Sequence, residues 1–233
     1  MLYRFLSITC LLLITDFQNT YSQAPAIIGA MKRVMWSGEL QGNISLDTIA
    51  HPHTYGMGPL AYLKGELLLW DGTVYSARVR HNGTAQIDTN RQVTAPFFAY
   101  STVEAWSEVV LPDSVRNASQ LEQFMAALYP DPAAITLFRL EGIVDSSVTH
   151  IVNLPEGTTV RSPQDAHQGK VSYTHTRAMV QVLGFYSRNH QGIFTHHDSF
   201  LHMHLVTHDR SAMGHMDALQ WTPGAMKLFV PQE

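Results

Sequence analysis

Four histidines occur within the seventeen residues SFLHMHLVTHDRSAMGH (199–215), and three of them have the spacing of metal ligands. His202 and His204 are two residues apart, and His215 follows His204 by eleven residues. Side chains two residues apart on a β-strand point to the same face. A turn through THDRSAMG and a second, antiparallel strand would bring His215 back beside this pair. Three neutral imidazoles so arranged fit a first-row metal, above all zinc, with a fourth position for water or substrate.

The spacing alone leaves a second interpretation open, because the chain holds 13 histidines. Several more lie close by, namely His190, His196, His197 and His208. In such a region an H-x-H pair also arises by chance, and the rings would then form a histidine-rich surface. If a metal binds, three histidines without cysteine favour a catalytic site, because structural zinc sites are usually closed by four protein ligands.

The segments that must position these residues are mostly strands. LKGELLLWDGTVYSARV predicts two strands about a tight turn at Asp71 and Gly72. NASQLEQFMAALYPDP predicts one short amphipathic helix, capped by Asn117 or Ser119 and ended by Pro130. Aromatic and β-branched residues predict further strands in VTAPFFAYSTVEAWSEVVLP, AITLFRLEGIVDSSVTHIVNLP, VSYTHTRAMVQVLGFYS, SFLHMHLVTHD, MGHMDALQW and AMKLFVP.

This predominance of predicted strands over helices predicts an α+β, β-rich fold made of two packed β-sheet subdomains with few helices. A polar segment from Arg161 to Gly169 separates an earlier half from a later one. We therefore place the subdomains at about 25–160 and 161–233.

The first 24 residues predict a signal peptide. Arg4 precedes the apolar run FLSITCLLLIT, and a small-residue cleavage site follows near Ala24. The run is too short to span a bilayer. An N-terminal core helix is the alternative interpretation. We expect an exported protein, periplasmic or secreted, that comprises residues 25–233.

The remaining composition excludes some kinds of site and partner. The one cysteine, Cys10, lies in the predicted signal, so the mature chain has no disulfide and no cysteine metal ligand. The net charge is −4 and no basic run occurs. Neither nucleic acid nor an anionic membrane is therefore indicated as a partner.

Four segments, in this order, resemble the α-acetolactate decarboxylases, bacterial enzymes that use zinc to convert 2-acetolactate to acetoin. They are YGMGPLAYLKGELLLWDGTVY, TAPFFAY, LGFYS and HMHLVTHDRSAMGH, and the resemblance runs from about Gly38 to Pro231. It implies zinc binding by His202, His204 and His215, with the hairpin glutamate of the family at Glu66. It also implies that the zinc lies in the cleft between the two subdomains and that the chain forms a homodimer.

The chain departs from the family at several positions. Pro59 and Lys64 stand where the family has a threonine and an aspartate. The active-site arginine of the family falls on His150, which lacks the planar two-donor fork of a guanidinium. Arg161 has similar local surroundings and is the alternative cation, although it lies eleven residues further on. The glutamate that the family supplies from a C-terminal tail has no counterpart in the final VPQE.

The resemblance implies a carbon–carbon lyase, an acetolactate decarboxylase, with a small-molecule 2-hydroxy-3-keto acid as substrate. Loss of CO2 leaves an enediolate, whose negative charge zinc would stabilise as a Lewis acid. A positioned acid must then protonate it, and Glu66 and His150 are the candidate catalytic residues. Without the resemblance, Glu66 would be a surface strand carboxylate and His150 equally a core histidine. The alternative function is an exported zinc-binding relative that has lost decarboxylase activity or acts on another substrate.

Overall fold

The computed structural model describes residues 24–195 and 199–232. The predicted signal peptide therefore lies, apart from Ala24, outside the described residues. In the part of the chain that is described, no helix is long and apolar enough to cross a membrane.

Strands dominate the fold, as the sequence predicted. In chain order they are β1 (Ala26–Ile28), β2 (Ile44–Ser45), β3 (Thr54–Pro59), β4 (Glu66–Trp70), β5 (Thr73–Val79), β6 (Ala85–Thr89), β7 (Thr94–Ala95), β8 (Phe98–Thr102), β9 (Trp106–Val109), β10 (Ile135–Ile151), β11 (Val171–Ser187), β12 (Leu201–Thr207), β13 (Met213–Gln220) and β14 (Met226–Pro231). The α-helices are α1 (Met31–Ser37), α2 (Ala118–Leu128) and α3 (Pro163–Ala166), and short 3-10 turns span Leu46–Thr48 and Ala61–Leu63.

The first large sheet has the strand order β1-β8-β3-β4-β5-β6, with every neighbouring pair antiparallel. Its central hairpin, β4–β5, turns at Asp71 and Gly72 and confirms the predicted turn. Both residues have positive φ, 47° and 75°, as in the tight turns that match the twist of paired strands. A side chain at Gly72 would also collide with the backbone, because a Cβ there would lie 2.6 Å from the carbonyl oxygen of His51.

The second large sheet has the order β11-β12-β13-β10-β14-β9. Its two longest strands, β10 and β11, also pair with each other, so β10, β11, β12 and β13 close into a ring. The strands β2 and β7 form a separate two-stranded sheet.

The division of the chain differs from the predicted boundary at residues 160 and 161. The two large sheets separate between Thr102 and Trp106, so β9 and β10 belong with the later strands. The predicted boundary instead falls between β10 and β11, which pair along their whole length. The polar segment that suggested it lies in the connection between these two strands, which carries α3.

The helix α2 confirms the predicted amphipathic helix. The side chain of Asn117 accepts a hydrogen bond from the backbone N–H of Gln120 and caps the first turn. Leu121 and Met125 are buried, and Leu128 near the end is exposed. The helix α1 was not predicted, although its buried Met31, Val34 and Met35 have helical spacing.

The two sheets pack face to face through apolar side chains. Met57 and Leu68 of the first sheet join Leu137, Phe185 and Val206 of the second in one buried cluster. The other face of the second sheet packs against α2. The predicted class, a β-rich fold of two packed sheets with few helices, is therefore confirmed.

Candidate metal centre

The histidines of β12 face the first sheet because successive side chains of a strand alternate between its two faces. Leu201, Met203 and Leu205 belong to the cluster around α2. Val206, on the opposite face, packs in the cluster between the sheets. His202 and His204 share the parity of Val206 and therefore lie on its side of the strand.

The antiparallel strand β13 returns His215 to this pair, as the spacing predicted. His204 and His215 are direct partners in the β12–β13 ladder. Ring centroids lie 5.2 Å apart for His202 and His204, 5.2 Å for His202 and His215, and 5.4 Å for His204 and His215. The residues are 2%, 0% and 8% exposed, so the interpretation of a histidine-rich surface is wrong for these three.

This near-equilateral triangle fits a single metal ion. Imidazoles that ligate tetrahedral zinc through nitrogen at about 2.0–2.1 Å hold their ring centroids about 5 Å apart. Three neutral nitrogen donors also leave the full charge of a divalent ion available to a substrate. These residues, brought together by one hairpin, could hold the metal.

Glu66, the first residue of β4, faces the triangle from the other sheet. Its Oε2 lies 3.7 Å from His204 Nε2, and its Oε1 accepts a hydrogen bond of 3.1 Å from the backbone N–H of Val152. The residue is 3% exposed, so it is not a surface carboxylate. Burial raises the pKa of Glu66 to about 8; the Val152 N–H opposes this shift, and the negative charge of Asp217 adds to it.

His150 reaches the same cluster from β10. It pairs directly with His215 in the β10–β13 ladder, and their ring centroids lie 4.7 Å apart. It is 3% exposed. Its Nδ1 lies 2.7 Å from Oδ1 of Asp217, a hydrogen-bond distance.

Arg161, the alternative cation, lies elsewhere. It precedes α3, is exposed, and donates its backbone N–H to Asp165. It is outside the set of described residues that line the cleft beside the histidines. The structure therefore brings His150 to the candidate centre and leaves Arg161 at the surface.

Sequence reasoning missed two polar residues at this centre. Asp217 lies two residues after His215, and the pairing of β13 with β10 brings it to His150. Burial by itself would raise the pKa of Asp217, but its interactions with His150 and His215 hold that pKa well below its usual range. His167 follows α3, and its ring centroid lies 5.7 Å from that of His150. No local motif marks His167, because the fold of the β10–β11 connection alone places it there.

A second set of side chains could also hold a metal. The ligand atoms of His150, His215 and Asp217 lie within 4.8 Å of one another. This set shares His215 with the triangle. Two of its three members are already joined by the 2.7 Å contact of His150 with Asp217, which a metal would have to replace. The three histidines of the triangle are all buried, whereas Asp217 in the second set is exposed, so we favour the triangle as the metal site.

The cleft beside the histidines is lined by both apolar and polar residues. Its apolar lining comes from α1, the β3–β4 connection and neighbouring segments: Met31, Met35, Trp36, Pro59, Leu63, Phe97 and Val152. Its polar lining comprises Glu66, His150, His167, His202 and His215. The cavity of about 80 Å³ suits a small organic molecule.

Solved structures of known proteins share this fold. The acetolactate decarboxylases of Bacillus subtilis strain 168 and of B. subtilis subspecies spizizenii are 19% and 20% identical to the chain, with TM-scores of 0.72 and 0.71. Both alignments cover 91% of this chain, and 86% and 87% of the respective structures. A Staphylococcus aureus protein described as similar to alpha-acetolactate decarboxylase is 13% identical over 90% of this chain and 85% of its own, with a TM-score of 0.72.

The sequence comparisons agree with the fold. No curated protein matches the chain. The family model described as alpha-acetolactate decarboxylase matches residues 28–231, which include both sheets and the candidate centre. The chain therefore belongs to the alpha-acetolactate decarboxylase family.

Proposed function

We propose that the protein is a zinc-dependent decarboxylase that converts 2-acetolactate to acetoin. The observation that carries this proposal is the buried triangle of His202, His204 and His215, which faces the carboxyl group of Glu66 across the junction of the sheets. A zinc ion held by the three histidines would supply a Lewis acid for the negative charge that develops when CO2 leaves a 2-hydroxy-3-keto acid. Membership of the family supports the reaction class.

The apolar and the polar residues of the cleft suit the two parts of such a substrate. Apolar side chains from α1 and Phe97 would contact its methyl groups and exclude water from the reacting carbons. His150 is one of the polar residues that line the cleft and, in its protonated form, would donate from Nε2 to the carboxylate. One imidazole offers a single donor where a guanidinium offers two, so we expect weaker substrate binding than an arginine would give.

Glu66 is the group best placed to transfer the proton. Its Oε2 lies beside the histidine triangle, and the Val152 N–H fixes the other oxygen. Burial favours the protonated carboxyl, and a cation at the triangle favours the carboxylate. Its Oε2 is therefore placed to supply the proton that general acid catalysis of enediolate protonation needs.

A second candidate function rests on the exposed position of Arg161. If the single donor of His150 cannot replace the guanidinium of the family, the chain would be a zinc-binding relative that lacks decarboxylase activity or acts on a different substrate. The export of the protein, expected from the N-terminal sequence, and its assembly as a homodimer, implied by the family resemblance, stay predictions.

Acetoin release from racemic 2-acetolactate, measured with purified protein of known zinc content, tests the first proposal. We expect zinc-dependent turnover that His204→Ala abolishes. The matched control is His208→Ala, because His208 is an exposed histidine just beyond β12. Stoichiometric zinc without acetoin would contradict the decarboxylase and favour the second candidate.

A further inference from the structure

The strand β13 contains an irregularity at its functional end. Val148 of β10 pairs with Ala218, and the next residue, Thr149, pairs with Met216, so Asp217 is an extra residue in the ladder. Such a bulge bends the strand and changes the direction of a side chain, and bulges are common beside active sites. Here the bulge lies two residues from His215 and directs Asp217 toward His150.

The contact between Asp217 and His150 is short and specific. Oδ1 of Asp217 lies 2.7 Å from Nδ1 of His150 and 3.7 Å from Nδ1 of His215. The first distance is that of a charge-assisted hydrogen bond, and the second is too long for one. Because an ionised carboxylate only accepts hydrogen bonds, Nδ1 of His150 carries the proton between them.

This hydrogen bond decides which edge of the His150 ring faces the cleft. The ring lines the cleft, whereas Asp217 contributes to a separate surface cavity with Glu122 and Ser199. With Nδ1 engaged on that side, Nε2 is the nitrogen that a molecule in the cleft can reach. In the protonated ring, which donates from both nitrogens, Asp217 accepts from Nδ1 and leaves the Nε2 donor for the cleft; without the carboxylate the ring could rotate, and the direction of that donor would no longer be fixed.

We propose that Asp217 is a positioning residue that holds His150 with Nε2 directed at the substrate carboxylate. The inference rests on the proposed function, in which His150 contacts that carboxylate. In this chain, a histidine that is oriented by a carboxylate would thus bind the substrate carboxylate in place of an arginine. Asp217 acts on catalysis through His150 and not as a ligand of the metal.

Kinetics of single and double variants test the coupling. In Asp217→Ala we expect kcat/KM for 2-acetolactate to fall by about tenfold, in the range for residues that orient a functional imidazole. On a His150→Ala background, the same change should cause no further loss, and bound zinc should stay equal to that of wild type. Asp217→Asn keeps the shape of the side chain and one acceptor oxygen, so its kcat/KM should lie between those of wild type and Asp217→Ala. It replaces the alanine variant in the test if that variant does not fold. Asp145→Ala, an exposed carboxylate on β10, is the control.

Nitrogen-15 NMR of zinc-loaded protein tests the geometry without any turnover. We expect a proton on Nδ1 of His150 in wild type, identified by its absence in His150→Ala, and loss of that fixed state in Asp217→Ala. An unchanged His150 signal in Asp217→Ala would overturn the proposal. So would loss of zinc in that variant, or a full tenfold loss on the His150→Ala background. If wild type released no acetoin, that result would count against the proposed function. The NMR result would still decide whether Asp217 positions His150.

Discussion

The histidine hairpin β12–β13 and the corner where β10 meets β13 contribute to one cleft but are built in different ways. All three histidines of the hairpin lie within fourteen residues, and one turn brings them together. The corner joins His150 to Asp217, 67 residues away, and needs both a long-range strand pairing and a bulge. The first arrangement follows from local spacing, whereas the second depends on the whole sheet. We therefore expect the hairpin to determine metal binding and the corner to determine how substrate is held.

The largest effect should come from the hairpin itself. His202→Ala removes a ligand of the triangle but none of the overlapping set formed by His150, His215 and Asp217. We expect the variant to lose its zinc and to keep less than about 1% of activity, beyond the 10–100-fold loss typical of an outer partner. Metal analysis after dialysis measures this. Retention of zinc in His202→Ala, with its loss in His150→Ala, would assign the metal to the corner.

Glu66→Gln should lower the rate of the chemical step without affecting metal binding. The amide keeps the shape and an acceptor for the Val152 N–H but cannot transfer a proton. We expect kcat to fall by about 10²–10⁴, the usual contribution of a general acid or base, while zinc stays bound. Steady-state kinetics with parallel metal analysis measures both quantities. Activity within twofold of wild type would exclude Glu66 as the proton-transfer group.

Replacement of the two candidate cations, His150 and Arg161, should lower kcat/KM to very different extents. His150→Ala removes a hydrogen bond to a charged group, worth about 1.5–3 kcal/mol, so kcat/KM should fall by about 10–100-fold. Arg161 is exposed and outside the cleft lining, so Arg161→Ala should change kcat/KM by less than about twofold. Comparison of the two variants at equal zinc content measures the difference. The reverse order of effects would make Arg161, and not His150, the cation that binds the substrate carboxylate.

The smallest effect that we expect is on thermal stability, from a substitution of Asp165 in the β10–β11 connection. Hydrogen bonds from the Ser162 hydroxyl and the Arg161 N–H lower the pKa of Asp165 from its ordinary value of 3.8. Because the folded-state pKa is the lower one, this stabilisation is present above pH 3.8 and is lost as the pH falls through the folded-state value. Asp165→Ala should lower Tm by about 1–3 °C at pH 7 and by less in strong acid. Thermal unfolding at both pH values tests this, and an equal difference at both would contradict the electrostatic origin.

Local patterns were enough for much of the fold. The Asp71-Gly72 turn, the Asn117 cap and the alternation around His202 and His204 each depend on a few neighbouring residues, and the structure bears them out. The sheets do not divide at the predicted boundary near residue 160, because a polar segment looks the same in sequence whether it links two domains or two strands of one sheet. Asp217 and His167 escaped prediction because pairing across the sheet and the fold of a long connection place them beside His150.

The most direct test of this account is anomalous diffraction at the zinc edge from crystals of the zinc-loaded protein. We predict one anomalous peak within ligand distance, about 2.0–2.1 Å, of nitrogens of His202, His204 and His215, with Glu66 on its open side. A peak held instead by His150, His215 and Asp217 would contradict the central claim that the histidine hairpin is the metal centre.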